Sequence, residues 1–441
     1  MRLRTAILIL IAFVANAAQA GPVLMISIDG LRPADVLDSK KRGLKVPNLS
    51  AFVKTGAYAT GVRGVLPTVT YPNHTTLITG VAPALHGIAN NTTFDPLGKN
   101  MEGWYWYESD IKVATLWDAV HDRHRIVASI DWPVSVGATS IDYNIPEFWR
   151  SKTADDLKLI RALSTPGLIP RLEQETGTSF ATAYNDNPDS DTARARFAEK
   201  LIDIAFPQFM TVHLISLDHY QHVYGPGSPE AHAALTQIDA AVGDLAAEAR
   251  RIEPDVTIAI VSDHGFAPVS HDVNLIAAFA EAGLITLDSK HKVSTWAAMP
   301  WGASGSAAIV LAHPDDQAVK DKVAALLAKL AADPASGIGQ VIDKHEVEMR
   351  GATGEASFWV DFKFGYMMGK NLGGPLITQS ADKGSHGFFP DHPELRATFL
   401  IAGPGVKKKG SLGDIDMRDI APTLAKIMQV PLPSATGKSL F

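Results

Sequence analysis

Apolar residues fall along this chain in two recurring patterns. Short, nearly continuous runs at Val23–Ile28, Ile126–Ile130, Phe209–Leu217, Val256–Val261 and Thr398–Ala402 read as strands buried on both faces, the mark of a parallel sheet. Between them the period changes to that of a helix. Leu235, Ile238, Val242 and Leu245 recur at helical spacing behind Ser228-Pro229, a capping residue followed by a first-turn proline. Val319, Val323, Leu326, Leu327 and Leu330 repeat the pattern further on. Strands alternating with helices predict a doubly wound α/β sheet.

The first twenty residues stand outside this pattern. Arg2 and Arg4 precede an apolar run from Ala6 to Val14, and Ala18-Gln19-Ala20 supplies a small-x-small cleavage site. Residues 1–20 therefore read as a secretory signal peptide, too short in its apolar part for the about twenty residues of a membrane span. The mature chain, from Gly21, is expected in the periplasm or outside the cell, without a stable membrane anchor. It contains no cysteine, so an exported fold must rest on its core rather than on disulfides. Thiolate metal sites and a cysteine nucleophile are excluded with it.

Composition changes the picture little. The 441 residues are 46% apolar and 20% charged, ordinary for a globular protein. A net charge of −7, or −9 without Arg2 and Arg4, offers no basic surplus for a nucleic-acid polymer. A small anionic substrate held by a few cations fits better.

The candidate chemistry lies at the strand ends. Asp29 follows the first run, Asp218 follows the third, and Asp263-His264 follows the fourth. In open α/β sheets that carboxyl edge is where ligands bind, and three carboxylates gathered there call for a cation. Asp218 and His222 are four apart, on one side of any helix that begins after the strand. His386 sits in Gly384-Ser385-His386-Gly387, a glycine-flanked loop suited to a close approach. Three carboxylates and three imidazoles are enough for two zinc ions that each keep an open position. His74, His86, His121, His124, His213, His219 and His271 read instead as surface or hydrogen-bonded core residues.

A hydroxyl nucleophile is offered by Thr68-Val69-Thr70-Tyr71-Pro72. With Pro72 at the first position of a helix, Thr70 and Tyr71 lie at its N-terminus, where free N–H groups favour a phosphate. Local sequence leaves Thr68 and Thr70 as alternatives.

These motifs together resemble the nucleotide pyrophosphatase/phosphodiesterase family of the alkaline phosphatase superfamily. The resemblance rests on Thr68 to His74, His86-Gly87-Ile88-Ala89-Asn90-Asn91, Ile28-Asp29-Gly30, Asp218 to Pro226, Ser262-Asp263-His264-Gly265 and Gly384 to Gly387. Ala402-Gly403-Pro404-Gly405 and Asp419-Ile420-Ala421-Pro422-Thr423 look like the superfamily's last strand and helix. It implies an alkaline-phosphatase-like α/β/α sandwich around a mostly parallel sheet, with an inserted cap subdomain. Residues 21–265 and 381–441 would form the core and residues 266–380 the cap, for which the 121 residues between His264 and His386 leave room.

The resemblance also implies roles. Thr70 would be the nucleophile, passing through a phosphothreonine intermediate. One zinc would be held by Asp218, His222 and His386, the other by Asp29, Asp263, His264 and the Thr70 oxygen. Asn91 would hold a non-bridging phosphate oxygen. Gln221 departs from the family, which has glycine before the second-motif histidine, and it bears on the leaving-group side. A neutral Asn91 suits a singly charged diester better than a dianionic monoester, which is best met by a guanidinium. The implied substrate is a nucleotide or another small phosphodiester, with Tyr71, Trp104–Tyr107, Tyr143 or Trp149 available to stack on a base. A lipid-headgroup phosphodiesterase, a phosphonate hydrolase and a non-catalytic zinc-dependent binding protein are the alternatives. The intact threonine argues against the last.

Overall fold

The computed structural model describes residues 21–100, 103–150 and 153–441. The expected signal peptide, residues 1–20, lies outside the described residues. Among the described residues no helix is long and apolar enough to cross a membrane.

An eight-stranded sheet forms the centre, in the order Gly410–Ser411, Ala57–Tyr58, Phe399–Ala402, Thr257–Val261, Val23–Ile28, Phe209–Leu214, Val127–Ile130 and Tyr143–Ile145. Val23–Ile28 lies between Phe209–Leu214 and Thr257–Val261 and runs parallel to both. Its continuous apolar run has a plain cause, since both faces of the strand are covered. Leu24, Ile26 and Ile28 join one core, with Phe52, Phe197, Leu201, Leu235, Ile238 and Val242 of three helices. Val23 and Met25 join the opposite core, with Leu77, Trp117, Val120, Ile420 and Leu424. Helices thus cover both sides of a mostly parallel sheet.

Two expectations need correction. Phe399–Ala402 was expected to be parallel, but it pairs antiparallel with Thr257–Val261; an apolar run reports burial on both faces and not direction. The run Phe209–Leu217 is strand only to Leu214, and Ser216–Tyr224 is helix. The Ser228-Pro229 signal does open a helix, Pro229–Ile252, with the Ser228 hydroxyl accepting from the Ala231 N–H.

After Asp263 the chain builds a second sheet, antiparallel, from Ala298–Ala303, Ser306–Leu311, Ala356–Phe362 and Ile338–Asp343. The helix Gln317–Ala332 packs Val323 and Leu327 into the core beneath it. The chain then returns, through Gly384–Ser385, to pair with Ala267–Val273 beside the central sheet.

Candidate functional site

Register along the central sheet brings the acidic residues together. Ile28 pairs with Leu214 and Ser27 with Val261, so Asp29 and Asp263 emerge side by side at the carboxyl edge. The Asp29 N–H still donates to Leu214 O at 2.9 Å, and the Gly30 N–H donates to Asp263 Oδ1 at 3.2 Å. Asp218 is the third residue of the Ser216–Tyr224 helix, and one turn later His222 Nε2 comes within 3.5 Å of Asp218 Oδ2. His386 arrives on a loop that only glycine permits. Gly387 has φ +83°, and a Cβ there would stand 1.9 Å from Ala303 O. The Gly387 N–H donates to Thr68 O at 2.9 Å.

All three imidazoles are oriented from behind. His222 Nδ1 bonds Gly384 O at 2.9 Å, His386 Nδ1 bonds Thr68 O at 3.1 Å and His264 Nδ1 bonds Gly265 O at 3.1 Å. Such carbonyl contacts fix the ring and leave each Nε2 free to ligate. His264 and His386 stack at 3.6 Å between ring centroids. His264 Nε2 lies 3.0 Å from Asp263 Oδ2 and 3.4 Å from Asp29 Oδ1, and His386 Nε2 lies 3.7 Å from Asp218 Oδ1. Ligand atoms of Asp29, Asp263 and His264 lie within 4.8 Å of one another, as do those of Asp218, His264 and His386.

The inward atoms meet one another but complete no hydrogen bond. Asp29 Oδ1, Asp218 Oδ1, Asp263 Oδ2 and His264 Nε2 are buried without a hydrogen bond, a costly arrangement in a folded interior. Burial, followed by the Asp263 and Asp218 carboxylates, raises the Asp29 carboxyl well above its ordinary range. Burial and the neighbouring His264 and His222 push His386 well below the usual imidazole value. Oxygen and imidazole donors left unmatched in one buried place fit a divalent metal with nitrogen–oxygen ligation.

The start of a helix is linked to the cluster. It begins at Thr70, not at Pro72 as expected, and runs to Thr79. The half-buried Thr70 is tied to the cluster by His74. His74 Nδ1 bonds Thr70 O at 2.9 Å and lies 3.7 Å from Asp263 Oδ2, while Nε2 meets Ser27 Oγ at 2.8 Å. Thr68 faces the other way. It is fully buried, and its hydroxyl donates to Phe388 O at 2.6 Å. Asn91 Oδ1 accepts the Tyr71 N–H at 2.9 Å. Pro72 has no N–H, so Thr70 N–H and Asn91 Nδ2 are the donors this helix end offers a ligand.

Tyr71 itself has no accessible face. Its ring is fully buried, 5.2 Å from Trp104 and 5.9 Å from Trp106, and its hydroxyl donates to Glu147 Oε1 at 2.9 Å. Gln221, also buried, points inward and donates from Nε2 to Gly30 O at 3.0 Å.

Sequence reasoning passed over the supports of Asp29. His213 Nε2 bonds Asp29 Oδ2 at 3.0 Å, and its Nδ1 lies 3.3 Å from Glu147 Oε2. Burial alone would lower His213, but hydrogen bonds to Asp29 and Glu147 hold it well above the usual value. One signal was available: His213 is the lone imidazole in an otherwise buried strand, directly opposite Ser27. Glu147 carries no local signal, because only the fold brings it there.

Residues 23–389 match the family model for type I phosphodiesterase / nucleotide pyrophosphatase. A pyrophosphatase/phosphodiesterase of Schizosaccharomyces pombe, itself uncharacterized, is 24% identical over 432 residues, 94% of this chain and 78% of its own length. Human ectonucleotide pyrophosphatase/phosphodiesterase family member 1 is 26% identical over 255 residues, 55% of this chain and 23% of its own. Venom phosphodiesterase 2 of Crotalus adamanteus is 26% identical over 261 residues, covering 58% and 28%. The chain thus spans about a quarter of the length of these two animal relatives. Human ectonucleotide pyrophosphatase/phosphodiesterase 5 shares the fold with a TM-score of 0.66 and 20% identity, over 95% of this chain and 97% of that one. The murine counterpart, as an inactive threonine-to-alanine variant in complex with AMP, superposes with a TM-score of 0.66 at 19% identity, over 95% and 97% of the two chains.

Proposed function

The chain belongs to the type I phosphodiesterase / nucleotide pyrophosphatase family, and we propose that it is an exported two-zinc phosphodiesterase acting on nucleotides through Thr70. The observation that carries this reading is the set of buried atoms without a hydrogen bond on Asp29, Asp218, Asp263 and His264, linked through His74 to the first residue of the Thr70–Thr79 helix. Asp218, His222 and His386 would hold one zinc; Asp29, Asp263, His264 and Thr70 Oγ1 would hold the other. Zinc bound there supplies charge stabilisation at the attacking and departing oxygens.

The chain's own residues do the rest. Thr70 Oγ1, its proton given up to solvent water, forms the new bond to phosphorus as the bond to the leaving oxygen breaks. The departing alcoholate takes up a proton from solvent. Water then cleaves the phosphothreonine, giving the phosphate monoester and restoring the Thr70 hydroxyl. The Thr70 N–H and Asn91 Nδ2 hold the non-bridging oxygens as charge develops on them. Asn91 is neutral, which favours a diester. The threonine-to-alanine change in the inactive murine relative agrees with a threonine nucleophile, and the AMP in that complex agrees with a nucleotide substrate.

Trp104 and Trp149 are half-buried with ring centroids 4.3 Å apart, and Trp104 adjoins Tyr105, whose N–H donates to the Asn91 carbonyl at 3.0 Å. Base stacking falls to these rather than to Tyr71. We assign residues 1–20 to an export signal and residues 266–380 to a cap over the core.

A parallel assay decides the reading. Bis(p-nitrophenyl) phosphate, p-nitrophenyl phosphate, a nucleoside triphosphate, a lysophospholipid headgroup ester and a phosphonate are compared at equal concentration. Diester and nucleotide turnover should exceed the rest. Equal or faster monoester hydrolysis would replace the phosphodiesterase with a phosphatase.

A further inference from the structure

The helix that carries Asp218 and His222 has no cap of its own. Its N-cap residue is Ile215, whose side chain has no acceptor, yet the first N–H groups of a helix need partners. They find one in Asp191, a fully buried residue of the helix Pro188–Ala205. Asp191 Oδ1 accepts the Ile215 N–H at 2.9 Å; Oδ2 accepts the Ser216 N–H at 3.0 Å and the Ser216 hydroxyl at 2.5 Å. Arg194 Nη1 donates to Asp191 Oδ1 at 2.8 Å, and Arg194 Nε lies 2.5 Å from Asp131 Oδ2.

This cap removes a competitor. Asp218 is the third helical residue, the position from which an acidic side chain ordinarily folds back onto the N-cap N–H. That N–H is already taken by Asp191, and Asp218 Oδ1 remains buried without a hydrogen bond, 3.7 Å from His386 Nε2. We propose that Asp191 is a positioning residue: by capping the ligand helix from a neighbouring element it keeps Asp218 turned into the metal cluster. The proposal rests on the two-zinc reading above.

A matched control exists in the same fold. Asp239 caps the helix Pro47–Thr55 in the same manner, accepting the Asn48 N–H at 3.1 Å and the Leu49 N–H at 2.8 Å. That helix carries none of the ligands.

Zinc affinity of the full chain is measured by chelator competition, with melting of the metal-free protein alongside. Asp191→Ala should weaken one of the two zinc ions by about 10- to 100-fold, the cost expected for losing a partner that orients a ligand, and leave the other unchanged. Asp191→Asn, which keeps one acceptor oxygen, should lose less, and it carries the test if the alanine variant does not fold. Asp239→Ala should lower the melting temperature without altering either affinity. Unchanged zinc affinity in both Asp191 variants overturns the proposal, as does an equal loss at both sites shared with Asp239→Ala. Wild-type protein that binds no zinc overturns the functional reading, and this proposal with it.

Discussion

The Tyr71 backbone N–H donates to Asn91 Oδ1 at 2.9 Å, so one hydrogen bond both occupies a first-turn donor and aims the Asn91 amide. The amide nitrogen is thereby left unused by Tyr71, as its proposed role of holding an oxygen of the transferred group requires. Removing one such donor typically costs about 10²–10³ in turnover. Asn91→Ala should show that loss on an aryl diester with zinc content unchanged, because Asn91 is not among the ligands. A loss below about tenfold would leave Asn91 without its proposed role.

Thr70 and Thr68 separate cleanly. Thr70→Ala should lose several orders of magnitude in turnover, and Thr70→Ser should keep part of it, since the hydroxyl survives. Thr68→Ala should stay active but melt earlier, because the Phe388 carbonyl loses its buried donor at about 1–3 kcal/mol. If Thr68→Ala is the inactive variant, the nucleophile is misplaced by two residues, and the proposed role of the helix start fails with it.

Tyr71→Phe tests whether that ring touches substrate. Only the hydroxyl bonded to Glu147 is deleted, at about 1 kcal/mol of stability. KM for nucleotides should not move, because the ring is fully buried. A severalfold rise in KM would return Tyr71 to the binding surface.

Chelation should abolish turnover and lower the melting temperature, since a ligand bound only by the native state stabilises it by mass action. Zinc should restore both. Elemental analysis of active enzyme showing less than about one zinc per chain would contradict a two-metal clamp.

Acid sensitivity should come in part from His86, far in role from the cluster. Burial lowers its pKa to about 3, and its Nδ1 accepts the Ile88 N–H at 3.1 Å. The unfolded chain therefore binds a proton that the native ring refuses between its ordinary value of about 6.5 and about 3. Stability should rise with pH across that window and be lost on acidification, at about 1.4 kcal/mol per pH unit for one group. Melting curves from pH 4 to 7 should have a shallower slope for His86→Gln than for wild type; identical slopes would count against it.

Much of this was legible in the chain because its signals are local. Val23–Ile28 declared its two buried faces, and Asp29, Asp263 and His264 declared themselves by ending strands. Other features depend on partners distant in sequence. The direction of Phe399–Ala402 is set by how the chain re-enters the sheet, and the early end of the strand at Leu214 by Asp191, which caps a helix beginning at Ser216. Likewise, Tyr71 reads as an aromatic beside Thr70 available for stacking until Trp104, Trp106 and Glu147 close around it.

The ligands also act on the chain as a whole. Asp29 is brought to Asp263 and His264, and Asp218 and His222 to His386, so the two groups close long loops that overlap between residues 218 and 263. Cross-links over long loops restrict the unfolded chain most, and a metal seated in each group would act as such a cross-link. Metal bound in both groups would give a protein without cysteine two overlapping clasps that need no oxidant, and its resistance to unfolding would then follow the supply of metal rather than the redox state around it.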